Sequence, residues 1–373
     1  MRPLLMTFAV ALLLASAAIT NSTQAGGRRI EFPDVPGYLT LKCDLHMHTV
    51  FSDGSVWPNI RVQEALRDGL DAIAMTDHLE YQPHREDIPH PDRNRSYRIA
   101  VEAAGKEPLI VLRGSEITRS MPPGHSNAIF LEDANRLLQD DPVAVFREAN
   151  RQGAFTFWNH PHWTAQRPDG VAALTDLHRR LIDEGLLEGI EVANDTTYSD
   201  EALQIALDHN MAILATSDIH GLIDWEYDVP NGGHRPVTLV FATERSAAGI
   251  KEALRARRTV AWFNNLLVGR QEHVLPLIRS SLRVRQAAYL GDSSVLSVLF
   301  ENLSDAEYIL DNKSPYTFHA GADVVTLKPH RQTRLDIKTL NRAPAVTLTF
   351  DVLNVVTAPN RHPELALEVA VNQ

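Results

Sequence analysis

The chain has 373 residues, 44% of them apolar and 22% charged, which excludes a disordered polar tail and leaves side chains enough for a sizeable core. With 36 Lys and Arg against 47 Asp and Glu the net charge is −11, a balance that repels a phosphate backbone, so no nucleic-acid partner is expected. One cysteine, Cys43, excludes an internal disulfide and a thiolate zinc knuckle. The 16 histidines, eleven of them between His46 and His220, are what a metal site built from imidazole would leave.

Residues 1–25 read as a secretory signal peptide. Arg2 supplies the charge, Leu4 to Ile19 the apolar stretch, and Thr23-Gln24-Ala25 a small-residue cleavage site. That stretch is shorter than the roughly 20 residues a bilayer span needs, so no stable membrane span is expected after cleavage. The expected location is periplasmic or secreted.

Residues 26–280 are expected to form one α/β domain. Short β-like runs at Leu39–Leu45, Ala72–Met75, Leu109–Leu112, Asn127–Leu131, Ala154–Trp158, Gly189–Ala193, Ala212–Ala215 and Val237–Phe241 alternate with helical segments. Val62, Ala65, Leu66 and Gly69 give one helical stripe, Tyr97, Ala100, Val101 and Ala104 the next, and Ala202, Ile205 and Ala206 a third. Asp141-Pro142 opens a helix that Gly153 closes, and Ser199 and Ser246 mark two further starts. Seven or eight such β-α steps favour a barrel over an open sheet. Residues 281–373 change period: Val346, Leu348, Phe350 and Val352, then Leu365, Leu367, Val369 and Val371, alternate strictly. With Asn302, Asp305, Asn312 and Pro329 as turn residues, this part is expected to be a small antiparallel β-sandwich.

The run Asp44-Leu45-His46-Met47-His48-Thr49, followed by Ser52-Asp53-Gly54, carries the chemistry. On a strand His46 and His48 point the same way, so one metal can take both. Similar residues recur at the predicted ends of other strands: Thr76-Asp77-His78, Gly114-Ser115-Glu116, Gly124-His125, Asn159-His160-Pro161 and Ser217-Asp218-Ile219-His220. In a barrel the carboxyl ends of the strands open on one face, where catalytic groups collect.

This ordered set resembles the polymerase and histidinol phosphatase (PHP) superfamily of metal-dependent phosphoesterases, over roughly Leu41 to Gly269. The resemblance implies a distorted (β/α)7-type barrel and metal ligands at His46, His48, Asp53, His78, Glu116, His125, His160, Asp218 and His220. By similarity, His46, His48, Glu116 and Asp218 hold one divalent ion, Asp53, His78 and His220 a second, and Glu116, His125 and His160 a third. Nitrogen and carboxylate donors suit manganese, zinc or iron. Two ions about 3.5–4 Å apart can bridge and activate a water and clamp phosphoryl oxygens, so the partner implied is a small-molecule phosphoester. The leader and the appended β domain look most like the secreted phosphodiesterases of the Sb-PDE family, which points to diesters cleaved to monoesters.

Further residues complete the expectation. His162 is placed either to protonate the leaving alkoxide or to take a surface or supporting role, and Arg119 either to bind a phosphoryl oxygen or to form a loop salt bridge. Asp44 and Asp77 are placed either to orient imidazoles or to give structural support. Trp57, Trp163 and Trp225 follow Asp53, His160 and His220 closely enough to rim the pocket, with loop packing the competing reading for each. His178 and His209 read as surface or helix-end residues, and His319, His330 and His362 as surface residues. Three other readings compete: a phosphomonoesterase of the same fold, an amidohydrolase-type barrel, and a metal-loaded binding module. Many amidohydrolases need a bridging lysine, and this chain has none between Lys106 and Lys251. A binding module would have lost a ligand, and all nine are present.

Overall fold

The computed structural model describes residues 29–372; the predicted signal peptide lies outside the described residues. Among those described, no helix is long and apolar enough to cross a membrane.

The first part alternates β1 (Leu39–Asp44), α1 (Pro58–Asp68), β2 (Ala72–Met75), α2 (Arg95–Ala104), β3 (Ile110–Ile117) and β4 (Ser126–Ile129). Then come α3 (Pro142–Arg151), β5 (Phe155–Trp158), α4 (Asp176–Asp183), β6 (Gly189–Asn194), β7 (Thr197–Tyr198), α5 (Asp200–Asp208) and β8 (Ala212–Thr216). It closes with α6 (Ile223–Glu226), β9 (Val237–Ala242), α7 (Ala247–Arg255), β10 (Thr259–Phe263), β11 (Leu266–Gly269) and α8 (Gln271–Ser281). Local chemistry sets these boundaries. The Asp141 carboxylate accepts the N–H groups of Val143 and Ala144 at the start of α3, and the hydroxyls of Ser199 and Ser246 accept those of Ala202 and Gly249. Pro58 sits in the first turn of α1, and Gly69, at φ 71°, ends it in the left-handed conformation.

The strands curl into a distorted barrel. β1, β2 and β3 are parallel, β4 runs antiparallel to both β3 and β5, and β5, β6 and β8 are parallel again. β9 returns antiparallel to β1. Between β8 and β9 the Thr238 hydroxyl bridges the strands, accepting Ala215 N–H at 3.0 Å and donating to Ala215 O at 2.8 Å. The reversal of β4 corrects the expectation that every site residue follows a strand's carboxyl end. His125 precedes β4, and the antiparallel direction brings it to the same face.

Residues beyond α8 form two four-stranded antiparallel sheets. The first comprises β12 (Leu282–Tyr289), β13 (Val295–Asn302), β15 (Thr317–Phe318) and β17 (Gln332–Lys338). The second comprises β14 (Tyr308–Asn312), β16 (Val324–Leu327), β18 (Ala345–Val352) and β20 (Glu364–Ala370). Val346, Leu348, Phe350 and Val352 of β18 are buried, as the alternation requires. Asn302 is a buried turn anchor: its side-chain amide donates to Ala306 O and Leu327 O, and its side-chain oxygen accepts Ser304 N–H. Between β18 and β20, β19 (Val355–Val356) leaves the sandwich and pairs parallel with β11 of the barrel sheet. One apolar core therefore runs from Trp262, Leu267 and Leu277 of the barrel to Tyr308, Leu310 and Phe350 of the sandwich.

Candidate metal centre

Nine polar side chains from separate segments converge at one end of the barrel. Main-chain geometry puts them there. Asp218 N–H donates to His46 O and His48 N–H to Ile219 O, which fixes the end of β1 against the segment after β8. Arg61 of α1, fully buried, ties both together by donating to His48 O, Ile219 O and Gly221 O while pairing with Glu64. Asp53 arrives on a tight loop whose Ser52 and Gly54 N–H groups both donate to Thr49 O. A Cβ on Gly54 would lie 2.7 Å from backbone atoms of His48 and Thr49, so only glycine fits. His160 and Asp218 hold φ of 28° and 50°, strained values for side-chain-bearing residues of the kind that gather at functional sites.

Hydrogen bonds assign the ring nitrogens. Glu191, whose carboxylate can only accept, takes His46 Nδ1–H at 2.8 Å. The carbonyl of Asp218 takes His220 Nδ1–H at 2.7 Å. Thr118 Oγ1 donates to Glu116 O and so accepts His78 Nδ1–H at 2.7 Å; Ser52 Oγ donates to Asp77 and accepts His48 Nδ1–H at 3.2 Å. Each of these four histidines is thereby left with a free Nε2 lone pair facing the centre.

Those nitrogens and the carboxylates form overlapping donor groups. His46 Nε2 and His48 Nε2 are 3.1 Å apart, 3.1 and 2.9 Å from Asp218 Oδ1, and each 3.6 Å from a Glu116 oxygen. His78 Nε2 and His220 Nε2 lie 3.3 and 3.2 Å from the two Asp53 oxygens. His125 Nδ1 and His160 Nε2 lie 3.1 and 3.4 Å from Glu116 Oε1. Donors at zinc-type bond lengths around one tetrahedral ion stand about 3.3 Å from one another. Among the described residues, Asp53 Oδ1 and Asp218 Oδ1 are buried without a hydrogen-bond partner, an arrangement that is costly unless a cation sits beside them. The residues thus fit divalent metal ions. Electrostatics agree: burial opposes ionisation of Asp218, but His46, His48 and His160 outweigh it and hold the carboxyl well below the usual range. Burial and the neighbouring His78 and His220 push His48 down to about 4, while Glu116 and Asp53 overcome burial and lift His78 to about 10, so an ion binding at His78 Nε2 has to displace a proton.

The centre forms the floor of a cavity of about 500 Å³ walled by His162, Trp163, Thr164, Asn194, Asp195 and Glu226. Two larger grooves, of about 750 and 710 Å³, lie on outer surfaces away from the histidines. His162 reaches the cavity although the strand has ended at Trp158, and both its ring nitrogens are buried without a partner.

Several of the alternative readings resolve against a role at the centre. Arg119 faces away: its Nε pairs with Glu80 at 2.8 Å and its terminal nitrogens donate to the carbonyls of Gln139 and Asp140. Asp44 touches no imidazole; it accepts Ser217 N–H and Oγ–H and pairs with the buried Arg235. Asp77 acts on His48 only through Ser52. Of the three tryptophans only Trp163 lines the cavity. Trp57 packs edge-on against Phe51, and Trp225 lies over a separate groove beside α1. His178 is buried rather than superficial: it stacks on Trp158 at 4.0 Å, donates from Nε2 to Pro123 O and closes a capping box with Thr175. His209 is the C-cap residue of α5. Sequence reading missed Glu191, whose signal was a lone acid between Ile190 and Val192 in a buried strand; its second oxygen accepts His160 N–H and Asn194 Nδ2. It also missed the tie made by Arg61 and the role of Asn159, whose side-chain amide donates to Glu116 Oε1 at 2.8 Å.

A PHP domain model matches residues 44–224 and an Ig-like domain model residues 282–368. No curated protein matches the chain. Among solved structures, a two-domain protein from Bacteroides vulgatus containing a predicted PHP-like metal-dependent phosphoesterase is 43% identical. The match covers 92% of this chain and 98% of that one at a TM-score of 0.86. PsfC from Pseudomonas syringae (16% identity, 65% and 96% coverage, TM-score 0.42) is more distant. So is a lesion-specific endonuclease from Pyrococcus furiosus (15%, 67% and 62%, 0.43). The 43% identity over nearly the full length of both chains places this protein in the family of PHP-like metal-dependent phosphoesterases, as a member with a C-terminal Ig-like domain.

Proposed function

We propose that the protein is a secreted metal-dependent phosphodiesterase that cleaves small organic diesters to monoesters with two or three manganese, zinc or iron ions. His46, His48, Glu116 and Asp218 would hold one ion, Asp53, His78 and His220 another, and Glu116, His125 and His160 a third. When bound, such ions supply an activated water and neutralise phosphoryl oxygens. Glu191, Thr118 and Ser52 keep the Nε2 lone pairs turned inward, and Asn159 holds the Glu116 carboxylate in place. Secretion rests on the pattern of residues 1–25.

The observation that carries the choice of diester is the cavity wall, which among the described residues has no Arg or Lys in its lining. A monoester dianion gains from cationic clamps, whereas a diester has a single charge. Arg119, the one cation the motifs bring close, is held by Glu80. His162 is the proposed proton donor to the leaving alkoxide. Burial lowers its pKa, so the role is read from leaving-group dependence. His162→Ala should slow alkyl esters while sparing nitrophenyl esters, which need no proton. The activity is tested with bis- and mono-nitrophenyl phosphates: the diester should have the higher kcat/KM, and a tenfold monoester preference would overturn the reading.

A further inference from the structure

The diester reading leaves the ester groups unnamed, and the cavity wall limits them. Apart from the candidate ligands and His162, its charged side chains are Asp195 and Glu226. Both are firmly placed. Asp195 stands at the tip of the β6–β7 hairpin with φ 50°, its N–H donating to Thr216 O. Glu226 ends α6, its Oε1 accepting Gly221 N–H at 2.6 Å. Their side-chain partners are neutral: Tyr227 and Thr196 hydroxyls, both at 3.4 Å, for Asp195 and a backbone amide for Glu226. Two carboxylates without a cationic partner, beside a site for an anion, repel the phosphate unless they face another part of the substrate.

Trp163 supplies the complement. It packs on the His125 and His160 rings at 5.6 and 5.2 Å, remains 45% exposed, and lines the same cavity. A part-exposed indole that shares a cavity with two carboxylates offers the chemistry that recognises an ammonium or quaternary ammonium group. Resting on the phosphodiesterase reading, we propose that the preferred substrates are diesters with one amino-alcohol ester group, its cation seated among Trp163, Asp195 and Glu226. Such a diester is a zwitterion of zero net charge, so the wall that disfavours a dianion favours it.

Two probes with one leaving group test this: the 4-nitrophenyl phosphodiesters of choline and of 3,3-dimethylbutanol, its uncharged isostere. The choline ester should have a kcat/KM about tenfold or more higher. The double variant Asp195→Asn, Glu226→Gln should bring that ratio close to one while keeping the metal content of the native protein. Tetramethylammonium chloride should inhibit hydrolysis of the uncharged probe by the native enzyme, where sodium chloride of equal ionic strength does not. A native ratio near one with brisk hydrolysis of both probes overturns the inference and leaves the phosphodiesterase reading standing. A ratio unmoved in the double variant, or metal lost from it, also overturns the inference. Failure to hydrolyse either probe removes both readings.

Discussion

In the C-terminal sandwich, burial follows the local period: alternate residues of β18 point inward, and a reader needs only eight consecutive positions to see it. At the barrel mouth, nine polar side chains from segments between β1 and α6 meet at separations of about one ligand-shell edge, held by bonds between residues as far apart as Asp44 and Ser217. The first region is stable because apolar area leaves water. The second concentrates buried charge and left-handed backbone, so its order depends on partners, first of the protein and then of the ions it can hold. The junction differs from both, since β19 makes the sandwich part of the barrel's own sheet.

Ranked by expected effect, four changes sharpen that contrast. Gly54→Ala forces a Cβ into the His48–Thr49 backbone and should displace Asp53. Metal affinity should fall on the order of tenfold or more in a chelator titration, as when an ordered ligand shell is disturbed. Asn354→Ala cuts the junction: its amide donates to Asn265 O and Glu307 O, and its oxygen accepts Ile309 N–H. Leaving these groups unpaired should cost about 2–4 kcal/mol in chemical denaturation.

How much of this was legible in the sequence follows the same contrast. Strand positions, the helix starts at Asp141, Ser199 and Ser246, and the change of period in the last quarter are local signals, and the structure carries them. The nine candidate ligands could be named because the family resemblance supplies long-range grouping that spacing alone does not. Where neither helped, reading failed. Proximity in sequence put Trp225 near the centre, but α6 turns it outward to 80% exposure. Proximity also gave Arg119 to the phosphate, although Glu80 is the nearer charge. Glu191 was hidden inside an apolar strand, since an acid among buried residues shows its purpose only when its partner from β1 is known.

The third change is one of pH. Burial, opposed by the Pro123 carbonyl, lowers His178 to about 4 against an ordinary 6.5. Its folded pKa is depressed, so below pH 6.5 the unfolded chain binds the proton more readily. This contribution is full above 6.5, fades as pH falls, and is gone by about 4; it is worth at most about 3 kcal/mol. Denaturant midpoints across that window should show a slope that His178→Gln reduces. The smallest effect is expected at Arg119→Ala. The guanidinium serves the Glu80 loop, so kcat/KM for a diester should stay within about threefold of native, as for an exposed ion pair.

Metal stoichiometry tests the central claim most directly. Glu116 lies within 3.6 Å of the metal-facing nitrogens of His46, His48, His125 and His160 and meets His78 only through Nδ1, so it joins two of the three donor groups. Elemental analysis of the purified native protein should find two or three divalent ions per chain, and of Glu116→Ala more than one ion fewer, with diester hydrolysis abolished. Full metal occupancy in Glu116→Ala would contradict the account.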